Sequence, residues 1–178
     1  MQINLQVLDC SYLVCAMLLE IPNYAQNQFT MNKFVISRSF KRLIENYDQR
    51  AFHLAAEQYR DSIVMAARSL NKSDWRQAVG YIMNISFFKR QPQAQVDSHN
   101  AMLTRVFKES ALKAFLFRAA RQYESFGIGS LAKLFEMPEQ EVTKFAAKMI
   151  ISNQLQVHID REQGLVVMDS SPSDTNEL

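Results

Sequence analysis

Three histidines and two cysteines are the side chains best suited to metal binding or to acid–base and nucleophilic chemistry. His53, His99 and His158 are far apart in the sequence, and none has the spacing of a zinc-binding pair. Cys10 and Cys15 would point roughly 140° away from each other on a helix, at about 100° per residue. They therefore cannot share a disulfide or a metal ion. We predict reduced thiols on a buried helix face, which is typical of cytosolic proteins.

Gly127-x-Gly129 is the closest approach of this sequence to a phosphate-binding loop. Such loops need more glycines and, in the P-loop, a lysine, so we predict a turn that leads into a helix. No Ser-His-Asp or Cys-His arrangement stands out, although such triads assemble in space and not in sequence. The residues thus predict no enzyme, no catalytic residue, no bound metal and no cofactor.

Basic side chains form two candidate clusters for binding nucleic acid. One lies on a predicted helix near Phe40, and the other on the helix that follows Pro138. As phosphate contacts they would be independent of base sequence and sensitive to salt. A solvated helix surface is the alternative for both clusters. In the second cluster, Glu141 can pair with Lys144. The candidate residues for RNA or ribosome binding are Lys33, Arg38, Lys41, Arg42, Lys144 and Lys148.

The elements that would carry the second cluster lie in the segment from Ser130 to Met168, which predicts two short helices and two short strands. Leu131, Leu134 and Phe135 give the first helix an apolar face, and Pro138 is suited to open the second. The second helix repeats apolar residues with a period of 3.6, and alternating residues then predict a β-hairpin. Helix, turn, helix and hairpin in this order predict a winged helix.

The charges of this segment argue against sequence-specific DNA recognition. Residues 109–168 carry seven basic and seven acidic side chains, so their net charge is zero. Glu139 and Glu141 occupy the first turn of the second helix, where a DNA-reading helix would face phosphates. We therefore predict a packing and docking module.

The predicted hairpin is the part of this module most suited to docking. With two strands over residues 154–159 and 165–168, it leaves backbone N–H and C=O groups on an open edge. Such an edge can accept a strand from another protein. The predicted partner interface consists of Gln154, Gln156, His158, Leu165 and Val167.

The N-terminal part predicts helical hairpins. Its helices are predicted over residues 3–21, 31–46, 48–70, from 75 onward and, after a linker at 86–96, over 98–123. Pro22 is predicted to end the first helix, and Ser73 to cap the helix that begins at Trp75. The first helix should turn Leu5, Leu8, Tyr12, Cys15, Leu18 and Leu19 inward, and the second should bury Phe34.

Composition favours a mainly α-helical protein, because 178 residues include only four Gly and four Pro. We predict a helical-repeat part over residues 1–108, a winged-helix part over 109–168 and a disordered tail over 169–178. The sequence shows no signal-peptide pattern and no uninterrupted apolar run of the roughly 18 residues that a membrane span needs. A cytoplasmic protein without a membrane partner is expected.

Helical hairpins, a spine helix and an electrically neutral winged helix in this order resemble the PCI domain. This domain is a scaffold module of the proteasome lid, the signalosome and translation initiation factor 3. The stretch from Leu131 to Asp160 looks like the winged-helix signature of the family. The runs Leu8–Leu13 and Cys15–Pro22 are similar to the c-subunit branch in initiation factor 3, as are residues 109–117, 148–151 and 166–168.

The resemblance implies a non-catalytic scaffold subunit that helps the small ribosomal subunit to recruit initiator tRNA and mRNA. It implies winged helices packed side by side with other PCI subunits, next to the a and e subunits, and contacts with ribosomal RNA or proteins. Because members of that branch are much longer, a C-terminal PCI fragment or an abbreviated subunit is expected. The alternatives are a PCI subunit of the proteasome lid or signalosome, and an RNA-binding module.

Overall fold

The computed structural model describes residues 4–28, 34–49, 58–86, 93–160 and 162–168, with side chains from 97 onward in the fourth range. These residues form seven helices and one three-stranded antiparallel sheet. The mainly α-helical prediction with a small C-terminal sheet is therefore confirmed. The chain divides into two compact units between Phe115 and Leu116. Lys33, His53 and the predicted disordered tail lie outside the described residues.

The N-terminal unit contains four helices and most of a fifth. They are α1 (Leu5–Gln26), α2 (Arg38–Asp48), α3 (Tyr59–Asn71), α4 (Trp75–Met83) and α5 (Gln93–Ala119). The beginning of α5 falls inside the predicted linker at 86–96, so that part of the linker prediction is wrong. The division between the two units falls within α5, and the predicted domain boundary after residue 108 lies in the same helix.

Helix α1 was predicted to end at Pro22, but it continues to Gln26. Pro22 has no N–H, so it cannot donate to the carbonyl of Leu18 one turn earlier. The hydroxyl of Ser110, on α5, donates to that carbonyl instead, at 3.0 Å. Because Ser110 is itself buried, this side chain satisfies a carbonyl that would otherwise lack its helical partner.

The face of α1 that we predicted to point inward is largely exposed. Cys10, Leu13, Val14, Met17 and Ile21 form the buried face instead. Both faces are apolar, which is why spacing alone selected the wrong one. By length and composition α1 also meets the criteria for a membrane span, although core helices meet the same criteria and 44% of its apolar window is buried.

A buried carboxylate connects α1 to the start of α2. Glu20 is fully buried and accepts the backbone N–H of Ser37 at 2.6 Å and the Asn23 amide at 3.0 Å. Ser37 in turn caps α2, accepting the N–H of Phe40 at 3.2 Å. Helix α2 therefore begins later than the predicted residue 31, and Phe34, predicted to be buried, is 70% exposed.

Helices α3 and α4 form the predicted antiparallel hairpin, but its capping residue differs. Asp74 caps α4 by accepting the N–H of Gln77 at 3.0 Å, whereas Ser73 adopts a positive φ of 66° in the turn. Trp75 begins α4, as predicted, and is buried. The Lys108 ammonium lies 4.4 Å from the centre of its ring, so a cation–π contact joins α4 to α5.

The C-terminal unit has the order of elements expected of a winged helix. After α5 come β1 (Ser125–Gly127), α6 (Ile128–Phe135), α7 (Glu139–Ile151), β2 (Val157–Asp160) and β3 (Leu165–Met168). The core contains Leu131, Phe135, Val142, Ala146 and Met149, as predicted, whereas Leu134 is 51% exposed.

The predicted two-stranded hairpin is wrong in one respect, because the sheet has three strands in the order β1-β3-β2. Strand β1 pairs with β3 from Ser125 opposite Val167 to Gly127 opposite Leu165. Gly127 therefore ends a strand and caps α6; the entry into a helix was predicted at this point, but the strand before it was not. Strand β3 is consequently central, and within the described residues β2 forms one edge of the sheet.

Candidate docking surface

Three of the five predicted interface residues lie together on the outer face of the sheet. His158 pairs with Val167 across the β2–β3 ladder, and paired side chains in an antiparallel sheet point to the same face. Leu165 lies two positions before Val167 and shares that face. Of the alternate residues, Val157, Val166 and Met168 are buried. Gln154 and Gln156 are exposed but precede β2, so they are beside the sheet and not in it.

Leu165 and Val167 were expected to lie on an open edge. They do not, because β3 is paired on both sides. The N–H of Met168 donates to the carbonyl of Glu124 at 2.8 Å, so alternate residues of β3 bond toward the β1 side. By the alternation of an antiparallel ladder, Val167 bonds toward His158 on β2. The backbone N–H and C=O of Ile159, the next residue on β2, therefore point to the open edge.

An open groove of about 630 Å³ lies beside this edge. Ile159 and the hairpin turn form one wall, and the starts of α6 and α7 form the other. Glu139 lies at the helical wall, with its Oε1 only 3.1 Å from where a side chain on Gly129 would begin. Glu139 and Glu141 are both exposed in the first turn of α7, as predicted. The negative first turn disfavours phosphate at this end of α7.

The predicted basic residues fall in two separate units. Arg38, Lys41 and Arg42 are exposed along one face of α2 in the N-terminal unit, and Lys41 forms an exposed ion pair with Glu45 at 3.7 Å. Lys144 and Lys148 are exposed on α7 in the C-terminal unit. The predicted pairing of Lys144 with Glu141 is not among the ion pairs of the described residues.

The cysteines differ in environment, which corrects the prediction that both lie on a buried face. Cys10 is buried and Cys15 is exposed. Burial, helped by the charge of Asp9, raises the pKa of the Cys10 thiol to about 11. His99 and His158 are both exposed and lie on different elements. Among the described residues, no group of three His, Cys, Asp or Glu side chains is arranged to hold a metal ion.

A polar cluster between α1 and α3 was missed by the sequence analysis. Asp9 accepts hydrogen bonds from the Tyr59 hydroxyl at 2.7 Å and the Arg60 guanidinium at 2.8 Å. The Tyr59 bond, supported by Arg60, lowers the pKa of Asp9, whereas burial raises the pKa of Tyr59. These residues are about fifty positions apart in sequence, so no local pattern could have indicated them; their role is to hold α1 against α3.

Comparison with known families agrees with this architecture. Residues 86–170 match the PCI domain, and residues 1–31, which include α1, match the N-terminus family of eukaryotic translation initiation factor 3 subunit 8. The chain is therefore similar to PCI-domain proteins over just under half of its length. The PCI match contains the whole winged helix and all of α5, so this similarity covers the unit that carries the sheet edge and the end of the N-terminal unit.

Matches to individual proteins point to one subunit of a translation factor. The chain is 35% identical over 96% of its length to the C subunit of eukaryotic translation initiation factor 3 from Bombyx mori. It is 34% identical over 96% of its length to the same subunit from Drosophila ananassae, and 31% identical over 94% to that of Sclerotinia sclerotiorum. It covers 20%, 19% and 19% of these proteins, respectively, so it spans about a fifth of the curated relatives that it matches. The comparisons do not favour a proteasome-lid or signalosome subunit.

Proposed function

We propose that this chain acts as a non-catalytic scaffold in translation initiation factor 3 of the cytoplasm, where it assembles with other PCI subunits. The observation that carries the proposal is the similarity to the C subunit of that factor over 96% of the chain, across both compact units. The a and e subunits are the partners we propose to test first.

The open edge of β2 is the proposed contact with a neighbouring PCI subunit. Edge strands add a strand from a partner through main-chain hydrogen bonds. The outward N–H of Ile159 would donate the central bond, and His158, Leu165 and Val167 would present their side chains on the adjoining sheet face. The acidic start of α7 favours a protein over a nucleic acid at this end of the unit.

Co-purification of the tagged chain with recombinant a and e subunits tests both steps. Replacing Ile159 with proline removes the outward N–H without removing a bond of the β2–β3 ladder. The matched control, Ile159→Ala, removes more of the side chain but retains the N–H. We expect Ile159→Pro to abolish co-purification and Ile159→Ala to retain it.

Two outcomes would contradict parts of this proposal. Failure of the unmodified chain to co-purify with either subunit would refute the assignment to initiation factor 3. Equal binding of Ile159→Pro and the unmodified chain, with circular dichroism showing both folded, would refute docking through the edge of β2 and leave the family assignment intact.

The small ribosomal subunit is the second partner that we propose, through Lys144 and Lys148. Both side chains are exposed, one turn apart, on α7. Two such contacts to phosphate should make binding salt-dependent. Sedimentation with purified small subunits should weaken for the double variant Lys144→Glu, Lys148→Glu, whereas Lys133→Glu on α6 should have little effect. Equal sedimentation of both variants would exclude this surface.

A further inference from the structure

Helix α1 exposes an apolar seam from Leu5 to Leu19. Leu5, Leu8, Tyr12, Cys15 and Leu19 are spaced alternately by three and four residues. Leu5, Leu8, Tyr12 and Leu19 are 75%, 60%, 51% and 58% exposed, and Cys15 is also exposed. Alternation of three and four is the spacing with which one helix packs against another as knobs into holes. The seam therefore has the geometry of an interface for a helix.

The chain that leads into α2 widens this seam on one side. The Asn23 side chain donates to the Phe34 carbonyl at 2.8 Å, and the Tyr12 hydroxyl lies 3.0 Å from the Ser37 hydroxyl. Residues 34–37 consequently run beside the seam. Phe34 is 70% exposed and Ile36 is 47% exposed, so the apolar surface continues across them.

The charges around the seam are asymmetric. Helix α1 contains only two charged side chains: Asp9 is bound by Arg60, and Glu20 is fully buried. The adjoining start of α2 presents Arg38 and Arg42, which are exposed and form no ion pair with another described residue. The exposed surface is therefore apolar along α1 and positive along its α2 side.

We propose that this surface binds an amphipathic helix of a partner protein, with apolar residues at a and d positions and acidic residues along the side that faces α2. The heptad spacing specifies a helical occupant, and Arg38 and Arg42 specify its charge. A second copy of this chain fits less well, because it would bring another uncharged seam and another basic edge. The proposal is independent of the open edge of β2, which lies in the other compact unit.

Two model peptides test the proposal with the full chain. Both are three-heptad helices with leucine at a and d; one carries glutamate at e and g, and the other carries lysine. Fluorescence anisotropy of the labelled peptides should show at least tenfold tighter binding of the glutamate peptide at low salt. The preference should shrink as salt screens the charges. The double variant Arg38→Glu, Arg42→Glu should reverse it.

Two substitutions distinguish binding at the seam from nonspecific hydrophobic binding elsewhere on the protein. Leu8→Glu should weaken binding of the glutamate peptide at least tenfold. Ile151→Glu, at an 86% exposed position on α7, should leave that binding unchanged. Circular dichroism establishes that each variant is folded. Equal affinity for both peptides, binding unaffected by Leu8→Glu, or displacement of the glutamate peptide by an RNA oligonucleotide would each overturn the proposal. So would a dimer of the unmodified chain that Leu8→Glu dissociates and that binds neither peptide.

Discussion

Ser110 is expected to stabilise the N-terminal unit by replacing a hydrogen bond that Pro22 cannot make. A double-mutant cycle tests whether the contribution of Ser110 depends on Pro22. Pro22 leaves the Leu18 carbonyl without a backbone donor, and the Ser110 hydroxyl supplies one at 3.0 Å from a buried position. Leaving a buried acceptor unsatisfied costs about 1–3 kcal/mol. We therefore expect Ser110→Ala to lower the free energy of unfolding by that amount.

The same substitution should cost less when Pro22 is also replaced by alanine. Pro22→Ala restores an N–H one turn after Leu18, so the carbonyl regains its helical partner. The loss caused by Ser110→Ala should then fall below about 1 kcal/mol, which gives a coupling free energy of about 1 kcal/mol or more. Urea denaturation followed by the fluorescence of Trp75, the single tryptophan, reports on this unit.

Ser11→Ala provides a matched control on the same helix. The Ser11 hydroxyl donates to the Val7 carbonyl at 2.9 Å, but that site is exposed and the carbonyl also has a helical partner. Its removal should change the free energy of unfolding by less than about 0.5 kcal/mol. Equal losses for Ser110→Ala in both backgrounds would refute the proposed link between the hydroxyl and the proline.

Three further predictions concern the polar and sulfur groups of the same unit. Glu20→Ala should lower the unfolding free energy by about 2–3 kcal/mol, more than Glu20→Gln, because it removes the acceptor of a buried backbone N–H; equal losses in the same urea titration would contradict this. At neutral pH a maleimide should label Cys15 but not Cys10, whose thiol has its pKa raised to about 11, so mass spectrometry should find one label before unfolding and two after it. Because the pKa of Asp9 is lowered from 3.8, its carboxylate stabilises the fold above pH 3.8 and ceases to do so as the pH falls through the lower folded value; Asp9→Asn should therefore reduce the loss of stability below pH 3.8, measured by urea midpoints.

The winged helix was the easier part to predict from sequence because its elements differ in period. Helix α7 starts at Glu139, one residue after Pro138, which was predicted to open it, and its buried residues repeat every three to four positions. Strand β3 alternates half-buried and buried side chains, and β2 begins with buried Val157 followed by exposed His158. Strand β1 was missed because three residues are too few to establish an alternation, and its pairing with β3 is a contact about forty positions away in sequence.

The sequence predicted that α1 is a helix, but the predictions of its buried face and of its end were wrong. Both failures have the same physical origin: local sequence does not show which neighbours a helix will meet. The continuation through Pro22 depends on a hydroxyl from α5, and the buried Glu20 depends on the N–H of Ser37 at the start of α2. Neither partner is visible in the sequence around residue 20.

The wrong face of α1 nonetheless explains why a helical seam exists there. Its residues were selected by spacing, and that spacing is real; the structure shows that the opposite face is the one buried within the chain. A helix with only one partner needs one apolar face, and the other is then normally polar. Since α1 is apolar on both sides and its only charged residues are paired or buried, a second helix on the open side is the arrangement that accounts for the whole sequence pattern.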